Sequence, residues 1–124
     1  MLRLPLKNGT VENNKLVGTP QTPQTPSISF NRIAFAAAHV VASPLIEVDP
    51  WQLGGALDWD ETLKYRRYLW DQGLNVAEAM DTAQRGMGLD WETAKELIER
   101  TVNEARHHPL KPRVVCGAGT DQFL

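Results

Sequence analysis

The same helix start is written twice in this chain, as Leu57-Asp-Trp-Asp-Glu-Thr62 and again as Leu89-Asp-Trp-Glu-Thr-Ala94. Each copy places an aspartate where a helix N-cap accepts from the first free N–H groups, and apolar residues at helical spacing follow it. A strand-like apolar stretch precedes the first copy, a second lies between the copies and a third follows the second helix. The order is therefore β-α-β-α-β, with connections suited to right-handed parallel crossovers. Repeating units of this size are the brick of the (β/α)8 barrel, which needs ~250 residues in all. A doubly wound sheet uses a similar brick and is the structural rival. The class is α/β in either case. Three parallel strands and two helices leave sheet edges and faces uncovered, so the 124 residues read as part of a domain.

The stretch from Gly73 to Trp91 carries the chemistry. It reads as a short buried strand, Leu74 to Met80, a polar turn, Asp81 to Gly88, and a helix opening at Asp90. The turn gathers Asp81, Thr82, Gln84 and Arg85 at the carboxyl end of a strand, where parallel α/β folds bind ligands. Asn31 to Ala42 is a continuous apolar run without period 2, which fits a strand buried on both faces, with His39 at its carboxyl end. Ser43 to Ala56 is a long loop bearing Glu47, Asp49 and Trp51, of a length that is often functional.

Asp58 opens the first helix, and Glu61 three residues on gives a capping-box arrangement. Trp59, Leu63, Leu69 and Trp70 form its apolar stripe, Lys64, Arg66, Arg67 and Asp71 its solvated face, and Gly73 suits the residue just past its end. The second helix keeps its period through Trp91, Ala94, Leu97, Ile98, Val102 and Ala105 to about His107. Arg113 to Cys116 is a further apolar strand, followed by Gly117-Ala-Gly119-Thr120-Asp121. His107 and His108 are adjacent and point to different faces, so they make a poor metal pair, and no Cys/His cluster has ligand spacing. The glycine pair after this strand lacks the third glycine and the following helix of a nucleotide-binding turn. No metal or cofactor is expected.

Three segments follow: residues 1–18 as a β-hairpin turning at Asn8-Gly9, 19–30 as a Thr/Pro-rich linker, and 31–124 as the partial barrel. Asn-Gly supplies positive φ angles to a tight turn, and Pro5 confines its strand to an edge. The repeated Thr-Pro pairs favour an extended spacer. A formal net charge of -2 and a pI near 5.9 offer no basic footprint for nucleic acid or anionic membrane. No apolar run is long enough to span a bilayer, and the first residues meet a proline too early for a signal peptide. The single Cys116 fits a reducing cytoplasm.

The runs IAFAAAHVVA (33–42), ALDWDETLKYRRYLW (56–70), VAEAMDTAQRGMGLDW (76–91) and VVCGAGTDQ (114–122) carry a family resemblance. On them the chain resembles the dihydrodipicolinate synthase-like proteins and, more closely, the branch catalogued as domain of unknown function 993. The resemblance implies a (β/α)8 barrel whose site lies at the carboxyl ends of the strands, this chain being its N-terminal part with three of eight βα units. In the wider family the second strand ends in Gly-Thr-Thr-Gly-Glu, which falls here on Asp81 to Arg85. Only Thr82 matches, onto a threonine that takes part in a proton relay. The other replacements imply a different substrate. Cys116-Gly-Ala-Gly119 is similar to the family's Ala-Gly-Thr-Gly.

The resemblance further implies a lysine that forms a Schiff base with a carbonyl substrate, assisted by a tyrosine, both from later strands. Lys7, Lys15, Lys64, Lys95 and Lys111 fall on the hairpin, outer helix faces and a loop, so that nucleophile is expected to be missing. Two readings stand. In the first, the chain is part of a carbon–carbon lyase or aldolase acting on a small carbonyl compound, and is catalytically incomplete by itself. His39 and Thr82 would then move protons, while Glu78, Asp81, Gln84, Arg85 and Asp121 line the substrate wall; equally, Asp81 and Arg85 could pair only to shape the turn. In the second, it is a non-enzymatic binding module, such as a half-barrel completed at its exposed sheet edges by self-association or by a partner chain.

Overall fold

The computed structural model describes residues 2–19, 31–49, 51 and 53–119. Over the described residues the chain is mixed α/β, with two α-helices and two small sheets. The first sheet is the expected hairpin, β1 (Leu2–Pro5) against β2 (Val11–Asn14), antiparallel and with every residue exposed. Its turn differs in type from the one Asn-Gly suggests. Only Gly9 takes a positive φ, 80°, and Leu6 N donates to Thr10 O at 2.8 Å while Gly9 N donates to Leu6 O at 3.0 Å. Asn8 acts through its side chain instead, its Oδ1 accepting from Thr10 N at 3.1 Å. Apart from Thr19, the Thr/Pro-rich linker lies outside the described residues.

The second sheet is parallel, in the order β3 (Phe35–Ala37), β4 (Asn75–Glu78), β5 (Val114–Cys116), with Ala36, Val76 and Val114 in register. Its strands are shorter than the apolar runs that encode them. β4 stops at Glu78 because Ala79 turns to φ 50°, off the extended region. Beyond β3 the chain leaves the sheet, and Ala42 forms an isolated antiparallel bridge with Leu57.

Both helices, α1 (Trp59–Asp71) and α2 (Trp91–His107), pack against β4 and against each other. Alternation along β4 sends Val76 and Glu78 to the helix side. Val76 there joins Ala38, Leu69, Trp70 and Ala105 in one core cluster. A second cluster, Leu57, Ala79, Ala83, Leu89, Ala94 and Leu97, lies under the carboxyl end of the sheet. The opposite face is open, with Phe35 40% and Val115 44% exposed. The expectation of burial on both faces of the Asn31–Ala42 run is corrected accordingly: its apolar residues face all round, but the described residues cover one side.

The caps explain why the helices start and stop where the sequence indicates. Asp58 Oδ1 accepts from Glu61 N at 3.0 Å, and Asp90 Oδ1 from Thr93 N at 2.8 Å. The capping box is only half formed, since Asp58 N donates to Val41 O at 2.8 Å and the Glu61 carboxylate takes Lys64 Nζ at 2.8 Å. At the other end of α1, Gly73 at φ 82° closes a Schellman motif, Gly73 N donating to Trp70 O and Leu74 N to Leu69 O. One residue of the expected solvated face is misplaced. Arg66 is fully buried and paired with Glu78.

Candidate functional site

The connection from β4 to α2 is wound tightly over two apolar anchors, Ala83 and Leu89, both buried. Ala83 N donates to Met80 O at 2.9 Å and closes a 3-10 turn at Asp81–Ala83, and Gln84 follows at φ 65°. Gln84 O then accepts from both Met87 N and Leu89 N. With the apolar residues turned inward, the polar side chains of the turn face out at the carboxyl end of the sheet.

A cleft of about 180 Å³ opens there between this turn and the residues after β5, lined by Ala79, Met80, Asp81, Arg85 and Gly117 to Gly119. Arg85 spans it. Its Nη1 donates to Gly117 O at 2.6 Å, and its guanidinium carbon lies 5.2 Å from the centre of the Trp91 ring. The Met80 side chain packs over Gly117, where a Cβ would sit 2.7 Å from Met80 Sδ and push that side chain aside.

Of the residues expected at the site, Asp81 and Arg85 are brought together in this cleft. Thr82 and Gln84 sit on the same turn with exposed side chains and do not line the cleft. His39 is exposed beyond β3, its ring 4.5 Å from that of Tyr65 on α1. Glu78 is turned away, into the helix layer. There its carboxylate accepts from Arg66 Nε (2.9 Å), Arg66 Nη2 (2.8 Å), Thr101 Oγ1 (2.7 Å) and Ala79 N (3.0 Å). Asp121 lies outside the described residues.

Other residues at this end of the sheet carried weaker signals in the sequence. A wider cleft of about 850 Å³ lies between the Ser43–Ala56 loop and the start of α2, with Glu47, Asp49, Trp51 and Asp90 among its lining. The length of the loop and its single tryptophan pointed there, but nothing local joined them to Asp90. Hydrogen bonds from the Thr93 N–H and then the Thr93 hydroxyl hold the Asp90 carboxyl below the ordinary carboxylate range. Cys116, at the end of β5 and open to solvent on one side, has its thiol pushed up by partial burial and then by the charge of Glu78, with Arg85 opposing. Among the described residues no group of three or more His, Cys, Asp or Glu is placed to hold a metal ion. No helix among them is long and apolar enough to cross a membrane.

A family model described as "Protein of unknown function (DUF993)" matches residues 2–124. No curated protein matches the chain.

Proposed function

The chain belongs to the DUF993 family, and we propose that its βα units form part of a (β/α)8 barrel of the dihydrodipicolinate synthase-like kind, a carbon–carbon lyase or aldolase acting on a small carbonyl compound. The observation that carries this reading is the arrangement of the parallel sheet. Its strands run in sequential order, and both helices lie on one side with an apolar open face on the other. A barrel keeps its helices outside and packs side chains within. A doubly wound sheet sets helices on both faces, which this one lacks among the described residues. The cleft with Asp81 and Arg85 sits at the carboxyl end of that sheet, where barrel enzymes react.

In this reading the chain supplies one wall of the site. Arg85 is the anion contact, its planar fork suited to a carboxylate. Asp81 lines the cleft with it as a proton-accepting group, and Thr82, on the same turn, supplies a hydroxyl. The Schiff-base nucleophile must come from elsewhere. A reactive lysine needs a desolvated amine that is neutral near pH 7. Lys7, Lys15, Lys64, Lys95 and Lys111 are all exposed, with Lys64 and Lys95 in surface ion pairs.

Reductive trapping tests this. The protein is incubated with a 2-oxo acid, treated with borohydride and mapped by peptide mass. No stoichiometric adduct is expected on the five lysines, and one on any of them would refute the missing nucleophile. The open face also supports a second reading, a half-barrel that self-associates. A sharp, concentration-dependent unfolding transition would favour it, and a molten monomer would count against it.

A further inference from the structure

The side chains of the network around Glu78 stand outside the cleft, yet the network holds main-chain groups at the carboxyl end of the sheet. Arg66 Nη1 donates to the main-chain oxygen of His39 at 2.6 Å, just beyond β3, and to Thr62 O at 3.2 Å. Thr62 Oγ1 in turn accepts from Val41 N at 3.0 Å, further along the same connection. On the other side, Glu78 Oε1 accepts from Ala79 N at 3.0 Å and Oε2 from the Thr101 hydroxyl of α2 at 2.7 Å. Arg66, Glu78, Thr62 and Thr101 are all fully buried.

Two features argue against stability as the reason for this cluster. A buried ion pair is often replaceable by apolar residues of similar volume without loss, because desolvation cancels much of the attraction. Moreover, it reaches main-chain groups just past both strands: His39 and Val41 after β3, and Ala79 after β4. Ala79 holds φ 50° with its side chain fully buried, a conformation that costs an L-residue energy and persists only where its surroundings fix it. The next residues, Met80 and Asp81, line the cleft.

We infer that Arg66, Glu78 and Thr101 are positioning residues, a buried strut that fixes the backbone of both carboxyl-end connections and so holds the cleft-lining turn in place. The inference rests on the reading of that end of the sheet as the working face. Glu78, expected from the sequence as a substrate contact, acts instead through Ala79 N–H.

Hydrogen exchange on the full chain tests the strut, comparing wild type with the double variant Arg66→Met/Glu78→Met and with Thr101→Val and Thr101→Ser. In the double variant the hydrogen-bonded amides of Val41, Ala79, Ala83 and Gln84 are expected to accelerate at least about tenfold more than interior α2 amides, Leu97–Val102. Thr101→Val should show the same local pattern more weakly, and Thr101→Ser, which restores the hydroxyl, should reverse it. Equal acceleration in α2 would reduce the cluster to a general stabiliser and overturn the inference, as would unchanged exchange at Ala79. If the double variant does not fold, the Thr101 pair decides by the same criteria. Exchange reads the backbone of this chain alone, so the strut can fail while the lyase reading stands, and borohydride trapping can fail while the strut stands.

Discussion

Cutting one side of the Arg66–Glu78 pair should be far more damaging than removing both sides. In Arg66→Met the Glu78 carboxylate loses two charge-assisted bonds, at 2.9 and 2.8 Å, and keeps only Ala79 N–H and the Thr101 hydroxyl. In Glu78→Met a guanidinium is left buried with two main-chain oxygens, those of His39 and Thr62. Either single change strands a charge out of water and should cost about 3–5 kcal/mol. That is a large share of the ~5–15 kcal/mol that holds a domain folded. The double variant strands no charge. It forfeits bonds worth ~1 kcal/mol each to the neighbours but regains the desolvation of two ions, so a net cost of no more than about 2 kcal/mol is expected. Urea unfolding of the four proteins closes a double-mutant cycle, and the coupling should reach at least ~4 kcal/mol. A double variant as unstable as the sum of the singles would refute the pairing argument, provided the slopes of ΔG against urea agree.

Three further outcomes follow from local geometry. Asp90→Ala removes the α2 cap and should lower stability by about 1 kcal/mol at neutral pH. Because the Asp90 pKa is lowered by folding, its contribution is present above the ordinary carboxylate range and is lost as pH falls through the folded value, so the gap between the urea midpoints of variant and wild type should narrow in acid. Gln84→Gly relieves a φ of 65° at an exposed side chain and should raise the urea midpoint, by about 0.5–1 kcal/mol in stability. Cys116, with its thiol pushed up by burial, should react with iodoacetamide more slowly than a free thiol near pH 8 and gain rate at higher pH. Arg85→Ala removes the one opposing charge and should slow it further.

What could be read from the sequence was what is decided within a few residues. Asp58 and Asp90 cap helices whose first N–H groups lie three residues on, and Gly73 closes α1 onto its own last turn. The hairpin at Asn8-Gly9 is local as well, although which of the two residues carries the positive φ was not. Arg66 failed for the opposite reason. Its ligands are Glu78, twelve residues on, and the main chain of His39, just beyond β3, so its own helix gave it the appearance of a solvated residue. The length of the β3 run suggested two covered faces, but burial of the second face depends on partners that a local pattern does not contain.

Glu78 shows how fine that boundary is. Along a strand the side chains alternate, so a polar residue near the carboxyl end has two destinations one position apart. Asp81 and Arg85 lie past the strand on a turn whose apolar anchors face inward, which leaves their side chains for the cleft. Glu78 is still in the strand, two residues from Val76 and on the same side, which sends it to the helices. Parity alone assigns it to the helix layer, and a buried carboxylate there requires a cation. Arg66 meets that requirement from α1, and its remaining donors reach the backbone where the chain leaves β3. A chain that lines a cleft with Asp81 and Arg85 must hold their turn still, and the charge buried one strand end away is positioned to do so.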